Sequence, residues 1–264
     1  MSLPIGLQLF SIRDFMEKDP VKTLREVKKM GYDGVETCGL AGLSPEDFKK
    51  VCDEEGLRII SAHGGYEFII RDIKETVETY KYLGAEYLVM AYTGDDNWPG
   101  HANYEKHSAE LKASCEYACA NGMQILFHNH EGELSLCCDG YVVDGIVAGT
   151  DGKLMYEPDL CWVRIGGEDP VKFMLDRAGK CPVIHIKDFY CGFDYAADPV
   201  HPKRPDSFQH RPIGYGRQDM PAIIDAAEKS GAKWLVVEQD CETLGKTQLE
   251  CAALSCGWLR TAGY

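Results

Sequence analysis

The 12 cysteines of this 264-residue chain include no C-x-x-C pair. That absence speaks against a thiolate zinc site or a redox dithiol. The closest spacing is the adjacent pair Cys137-Cys138. Such a pattern suits reduced thiols, most of them packed as small apolar residues. No segment approaches the ~20 apolar residues that a membrane helix needs. Met1 to Phe10 carries neither a charged n-region nor a long apolar stretch. The expectation is a soluble, cytoplasmic protein with no membrane partner. Positive charge is also scarce: 28 Lys and Arg against 42 Asp and Glu leave a formal net charge of −14. Nucleic-acid binders usually show a basic stripe, so no nucleic-acid partner is expected. No G-x-G-x-x-G follows an apolar run, which leaves a doubly wound dinucleotide fold unsupported. Neither linker nor low-complexity tail interrupts the chain, so residues 1–264 read as one domain.

What the chain does contain is a repeated unit: a charged helical segment, a glycine, then a short apolar run. It occurs at Gly31 before Val35, at Gly56 before Ile59-Ile60, and at Gly84 before Tyr87-Leu88-Val89. It returns at Gly122 before Ile125-Leu126, at Gly179 before Val183-Ile184, and at Gly231 before Trp234-Leu235-Val236-Val237. Glycine just past a helix adopts the left-handed conformation that ends it at little cost. Asp19-Pro20, Ser44-Pro45 and Asp169-Pro170 mark helix starts, each with a capping side chain ahead of a first-turn proline. With the opening run, the pattern predicts eight strands. They are roughly Ile5–Phe10, Gly34–Thr37, Arg58–His63, Tyr87–Tyr92, Gln124–His130, Leu154–Pro158, Val183–Lys187 and Lys233–Glu238. Strands alternating with helices imply parallel βαβ units. Eight of them fit an α/β fold closed as a (β/α)8 TIM barrel better than an open sheet. The polar stretch from Phe189 to Arg217, rich in proline, is the one long loop. It is a candidate cover for a site, or a docking surface for a second copy of the chain in a homo-oligomer.

Four strands end in polar clusters: His128-Asn129-His130-Glu131, Glu157-Pro158-Asp159, His185-Ile186-Lys187-Asp188 and Glu238-Gln239-Asp240. Burying such groups is costly unless something compensates, and a divalent metal with a polar substrate would do so. In a parallel barrel all the C-terminal strand ends point to one face, where active sites lie. Residues two apart share a side, so His128 with His130, Glu157 with Asp159, His185 with Lys187 and Glu238 with Asp240 can face the axis as pairs. His63 adds a fifth contributor, and Gln8 and Glu36 are similarly placed. A lone histidine at a strand end is more often structural, and Asp188 is more readily a loop or cap residue than a ligand. The coincidence of four such strands is what argues for a shared site. Mixed carboxylate and imidazole donors favour one divalent ion of the Mn2+, Co2+, Zn2+ or Mg2+ kind.

Read in order, these motifs resemble the sugar phosphate isomerase/epimerase superfamily, the xylose-isomerase-like TIM barrels. The resemblance runs from Leu7-Gln8-Leu9-Phe10-Ser11-Ile12-Arg13-Asp14 through Gly34-Val35-Glu36, Ser61-Ala62-His63 and His128-Asn129-His130. It continues through Asp159-Leu160-Cys161-Trp162, His185-Ile186-Lys187-Asp188 and Gly214-Tyr215-Gly216 to Glu238-Gln239-Asp240. The superfamily's usual metal set is Glu, Asp, His and Glu on strands five to eight. Carried over, it implies Asp159, His185 and Glu238 as ligands, with His128 where the fifth-strand Glu is expected. Glu157 or Glu133 is the alternative for that place. The implied activity is isomerisation or epimerisation of a sugar or keto-sugar through an enediolate. Candidate catalytic groups are Glu238, His128, Glu157 and, as an oxyanion stabiliser, Lys187. Candidate substrate-binding residues are His63, His130, Glu133 and Trp162. The departure at His128 keeps two other readings open: a lyase or dehydratase using an imidazole acid, and a binding subunit that has lost catalysis. An apurinic-type endonuclease, of similar fold, fits the charge poorly.

Overall fold

The computed structural model describes residues 2–137, 140–192 and 202–264. Eight parallel strands form its centre: β1 (Ile5–Gln8), β2 (Gly34–Thr37), β3 (Arg58–Gly64), β4 (Tyr87–Met90), β5 (Gln124–His128), β6 (Met155–Glu157), β7 (Val183–Ile186) and β8 (Trp234–Val237). Hydrogen-bonded pairing runs β6-β5-β4-β3-β2-β1-β8-β7. One seam remains, between β6 and β7. There Asp159 and His185 form a single parallel bridge, and His185 N–H donates to Pro158 O at 3.0 Å. The result is a nearly closed TIM barrel.

The helices begin and end where the sequence signals lie. Asp19, Ser44 and Asp169 each accept a hydrogen bond from a first-turn backbone N–H ahead of a proline. Gly31, Gly56, Gly84 and Gly231 end their helices with positive φ. The apolar faces of these helices and the outer faces of the strands make the main core, around Leu24, Val35, Leu88, Phe127 and Leu235.

Inside the barrel the filling changes with height. Ile60, Val89, Leu126, Val183, Trp234 and Val236 form an apolar plug. Gly6 makes room for it, since a Cβ there would stand 2.4 Å from Ile60 Cδ1. A register shift between β2 and β3 leaves Ile60 as an extra residue, so Ser61 pairs with Glu36. Such a bulge re-aims side chains. It places Ser61 and His63 in the polar layer that caps the plug.

Several expected strands are shorter than their apolar runs. β1 stops at Gln8 because Leu9–Ile12 turn into a 3-10 helix, and β5 stops at His128. The long loop is only partly irregular. Asp188–Tyr190 and Gln209–Arg211 pair antiparallel, and Phe208 stacks between Phe189 and Trp162. Pro199 of that loop and Cys138 lie outside the described residues. Among the described residues no helix is long and apolar enough to cross a membrane.

Candidate active site

The polar layer is almost dry. Glu36, Glu157, Asp159 and His185 have no exposed surface, and Lys187, His128 and Glu238 have little. Charges at this depth must pair, and they do. Glu36 accepts from Gln8 Nε2 at 2.6 Å and from the Ser61 hydroxyl. Its Oε1 also lies 2.7 Å from His185 Nε2 and 3.0 Å from His63 Nε2. His63 Nε2 lies 2.5 Å from Glu157 Oε2 as well. On the other side, Lys187 Nζ stands 2.9 Å from both Asp159 Oδ2 and Glu238 Oε2 and 3.2 Å from Asp240.

Burial and partners push these groups in opposite directions. For His63, burial opposes the charge, but Glu36 and Glu157 outweigh it and raise the pKa to about 10. His185 is likewise raised, with Glu157, Glu36 and Glu238 outweighing burial. His128 is held well below the ordinary range by burial and by the cationic His185 and His63, so it is a neutral imidazole at pH 7. Burial and the nearby Glu36 raise Glu157 to about 8. Glu238 stays ionised because Lys187 and His185 overcome its burial. One buried carboxylate thus keeps a proton near neutrality while another does not, a split that acid–base chemistry exploits.

Above this layer opens a cavity of about 400 Å3. His63, His128, His130, Glu238 and Asp240 meet it from the floor, with Trp162 and Arg204 on one wall. A hollow of about 610 Å3 beside Trp258 is larger, but it lies on the outer side of the last helix, away from the buried charge cluster. The chemistry favours the barrel mouth.

Among the expected site residues, His63, His128, His130, Trp162 and Glu238 line the cavity, while Glu157, Asp159, His185 and Lys187 lie beneath it. Glu133 points elsewhere: its carboxylate accepts the His130 backbone N–H at 2.9 Å, so it supports the loop from behind. Asp188 also turns away. It accepts backbone N–H bonds from Phe189, Gly214, Gly216 and Gln218 at 2.9–3.1 Å and anchors that loop. The central place of Glu36 was only half visible in the sequence. Its position at a strand end was the signal, and its four partners come from three other strands. Asp240 reaches the cavity as its pairing with Glu238 led one to expect, while Arg204 had no comparable motif.

The donors suit a metal ion. Nitrogen and oxygen atoms of His128, Asp159, His185 and Glu238 lie within 4.8 Å of one another, and His63, His128, Glu157 and His185 form an overlapping group. Within these sets His128 Nδ1 and Glu157 Oε1 are buried without a hydrogen-bond partner. Unsatisfied buried atoms in a native site usually mark a missing ion, water or ligand. Imidazole and carboxylate donors match a borderline or hard divalent ion.

A parallel eight-stranded barrel with a His/carboxylate cluster at its C-terminal mouth defines a class of TIM-barrel proteins. The chain belongs to the xylose isomerase-like TIM barrel family, which residues 24–262 match. It is similar to the structure of a sugar phosphate isomerase/epimerase from Parabacteroides distasonis, at 22% identity and a TM-score of 0.78, covering 99% of each chain. It is similar to 3-keto-D-glucoside 4-epimerase from E. coli at 17% identity and a TM-score of 0.70, covering 98% of this chain and 100% of that one. It is also similar to the protein described as the "probable 3-DHS dehydratase" of Bacillus anthracis, at 14% identity and a TM-score of 0.72, covering 98% and 99%. At these identities the likeness speaks to the fold. No curated protein sequence matches the chain.

Proposed function

We propose that this chain, acting as one domain over residues 1–264, is a divalent-metal-dependent isomerase or epimerase of a sugar or keto-sugar, working by proton transfer through an enediolate. The observation that carries this reading is the clustering of His128, Asp159, His185 and Glu238 donors within 4.8 Å, under an open cavity. Those residues would hold one ion, Mn2+, Co2+, Zn2+ or Mg2+. Bound there, the ion would polarise a carbonyl and its neighbouring hydroxyl and acidify the α-C–H.

The chain's own residues do the rest. Glu238, ionised and facing the cavity, takes the α-proton. Glu238, now a carboxylic acid, returns that proton to the neighbouring carbon, and His128, a neutral imidazole, is the base for a proton on its own side. Glu157 holds a proton near neutrality and shares it with Nε2 of His63, so the two act as one acidic unit below the floor. The Lys187 ammonium offsets negative charge as it develops on a substrate oxygen. His63, His130 and Trp162 bind and orient the sugar, and Glu133 keeps His130 in place. Buried free thiols such as Cys52, Cys115 and Cys161 are consistent with a cytoplasmic setting.

A second reading has its own observation. His128 stands at the end of β5, where the family resemblance leads one to expect a carboxylate, and a neutral imidazole there can take the α-proton and, as imidazolium, pass it to a leaving group. That favours a lyase or dehydratase acting on a keto-sugar, keto-glycoside or inosose-like substrate. The likeness to the Bacillus anthracis dehydratase adds support. Metal content and α-proton exchange in deuterated water test both readings. One equivalent of metal, with exchange abolished by chelation and no change of product mass beyond deuterium, supports the isomerase. Loss of water or an alcohol supports the lyase. No exchange in any keto-sugar, with metal bound, counts against both.

A further inference from the structure

We propose that the mouth of the cavity is a second subsite, for a planar apolar ring carried by the sugar, so that the substrate class is a glycoside whose sugar ring bears the ketone, rather than a free sugar. This rests on the reading of the cavity as a sugar site and adds what the rim binds.

The lining of the cavity changes character from floor to rim. The floor is imidazole and carboxylate, suited to hydroxyls and a carbonyl. At the rim stand Phe10, 41% exposed, and Tyr92, 57% exposed. They come from the loops after β1 and β4, two strands that are not neighbours in the barrel. Between them the end of β3 and the loops after β2 and β3 contribute only Cys38, Gly64 and Gly65 at this level. A Cβ at Gly65 would meet nothing within 4 Å, whereas one at Gly64 would run into the Phe68 side chain, so the open shelf lies at Gly65, in a cavity that the two aromatic rings also line.

Single exposed aromatics are ordinary and carry no meaning by themselves. Here two of them line the mouth of one cavity above a polar floor. The Phe10 ring is also held: the Arg13 guanidinium lies 4.2 Å over it, and Arg13 is itself tied to Phe10 O and Asp240 O, each at 2.9 Å. One ring face is thus covered.

The opposite wall is already filled. Arg204 stacks 4.3 Å over Trp162, Phe208 packs against that tryptophan, and Glu131 lies 3.4 Å from Arg204. A second ring therefore goes to the Phe10–Tyr92 side. A free sugar seated on the floor would leave both aromatics in water, and the shelf offers hydroxyl groups few polar partners. A flat apolar ring attached to that sugar would bury them. The cavity volume lies in the range of pockets that enclose multi-ring ligands.

The test is calorimetric titration of the metal-supplemented protein with methyl β-glucoside and phenyl β-glucoside, two probes that differ only in the second group. The wild type should bind the phenyl glucoside about tenfold more tightly. Phe10→Ala and Tyr92→Ala should each lower that preference, and the double variant should abolish it with methyl glucoside affinity held within about twofold. Tyr92→Trp should preserve it. Equal binding of both probes by the wild type, or a preference that survives the double substitution, overturns the rim assignment and leaves the sugar-site reading standing. No binding of either probe overturns both.

Discussion

Glu36 holds Nε2 of His185 at 2.7 Å, while Nδ1 of the same ring lies 3.1 Å from Glu238. A metal-binding histidine commonly donates its other N–H to a carboxylate, which fixes the tautomer and raises the basicity of the ligand nitrogen. Glu36 has that relation to His185. Glu36→Gln should therefore weaken Mn2+ or Co2+ binding by about 10- to 100-fold without abolishing it. Asp159→Ala, His185→Ala and Glu238→Ala should remove it. Competition titration against a chromogenic chelator measures both effects, and unchanged affinity in Glu36→Gln would put the ion elsewhere.

Lys187 and a divalent ion draw on the same carboxylates, since its Nζ lies 2.9 Å from both Asp159 and Glu238. Replacing Lys187 by Met strands two buried anions. Breaking a buried pair in this way costs about 3–5 kcal/mol. The variant should melt well below the wild type in chelator, and added Mn2+ should raise its Tm by more than it raises that of the wild type. An equal metal-induced shift in the two proteins would show that the ammonium and the ion do not share ligands.

Burial raises Glu133 from 4.5 to about 7, although the backbone N–H groups of His130 and Glu133 pull it down. A carboxyl whose pKa rises on folding contributes stability that is full below the unfolded value. That stability is lost as pH climbs through the folded one. The shift corresponds to about 3 kcal/mol. Glu133→Gln has no such titration. Between pH 4.5 and pH 8 the stability of the wild type relative to this variant should fall by roughly that amount, read from urea unfolding at each pH. A pH-independent difference would contradict the buried setting of Glu133.

Gly216 sits against the anchor of the long loop. A Cβ there would stand 2.1 Å from Asp188 Oδ1 and 2.5 Å from the Phe189 carbonyl oxygen. Asp188→Ala leaves four backbone N–H groups without their acceptor, so it should destabilise by several kcal/mol, at about 1–3 per buried donor. Gly216→Ala should disturb the same loop by displacing that carboxylate. Hydrogen exchange should show Gly214–Gln218 opening in both variants while the β1–β4 side stays protected. Protection of the loop in either one would remove Asp188 from this role.

Much of the barrel was readable because its signals are local. Asp19-Pro20 and Ser44-Pro45 start helices, Gly31 and Gly84 end them, and the runs between supply strands, all within a few residues. Strand ends were read less well. His130 and Lys187 follow apolar runs yet lie past the last ladder pairs at His128 and Ile186, because where pairing stops depends on the neighbouring strand. The polar strand ends could be named as one site because parallel topology sends them to one face. Their division of labour could not. That Glu133 faces the His130 backbone and Asp188 the Gly214–Gln218 loop follows from loop paths with no sequence period.

By itself, then, the sequence determined the alternation of helices and strands, the barrel it implies, and the set of imidazoles and carboxylates at its mouth. These follow from spacing, capping and hydrophobic period, which act over short stretches of chain. Tertiary structure alone decided that Glu36 sits among Gln8, Ser61, His63 and His185, and that Lys187 bridges Asp159 and Glu238. It also decided that Phe10 and Tyr92 line the mouth of one cavity. Those relations join residues from strands and loops far apart in sequence. Their energies depend on burial and on distances of about 3 Å, which exist only once the barrel has closed.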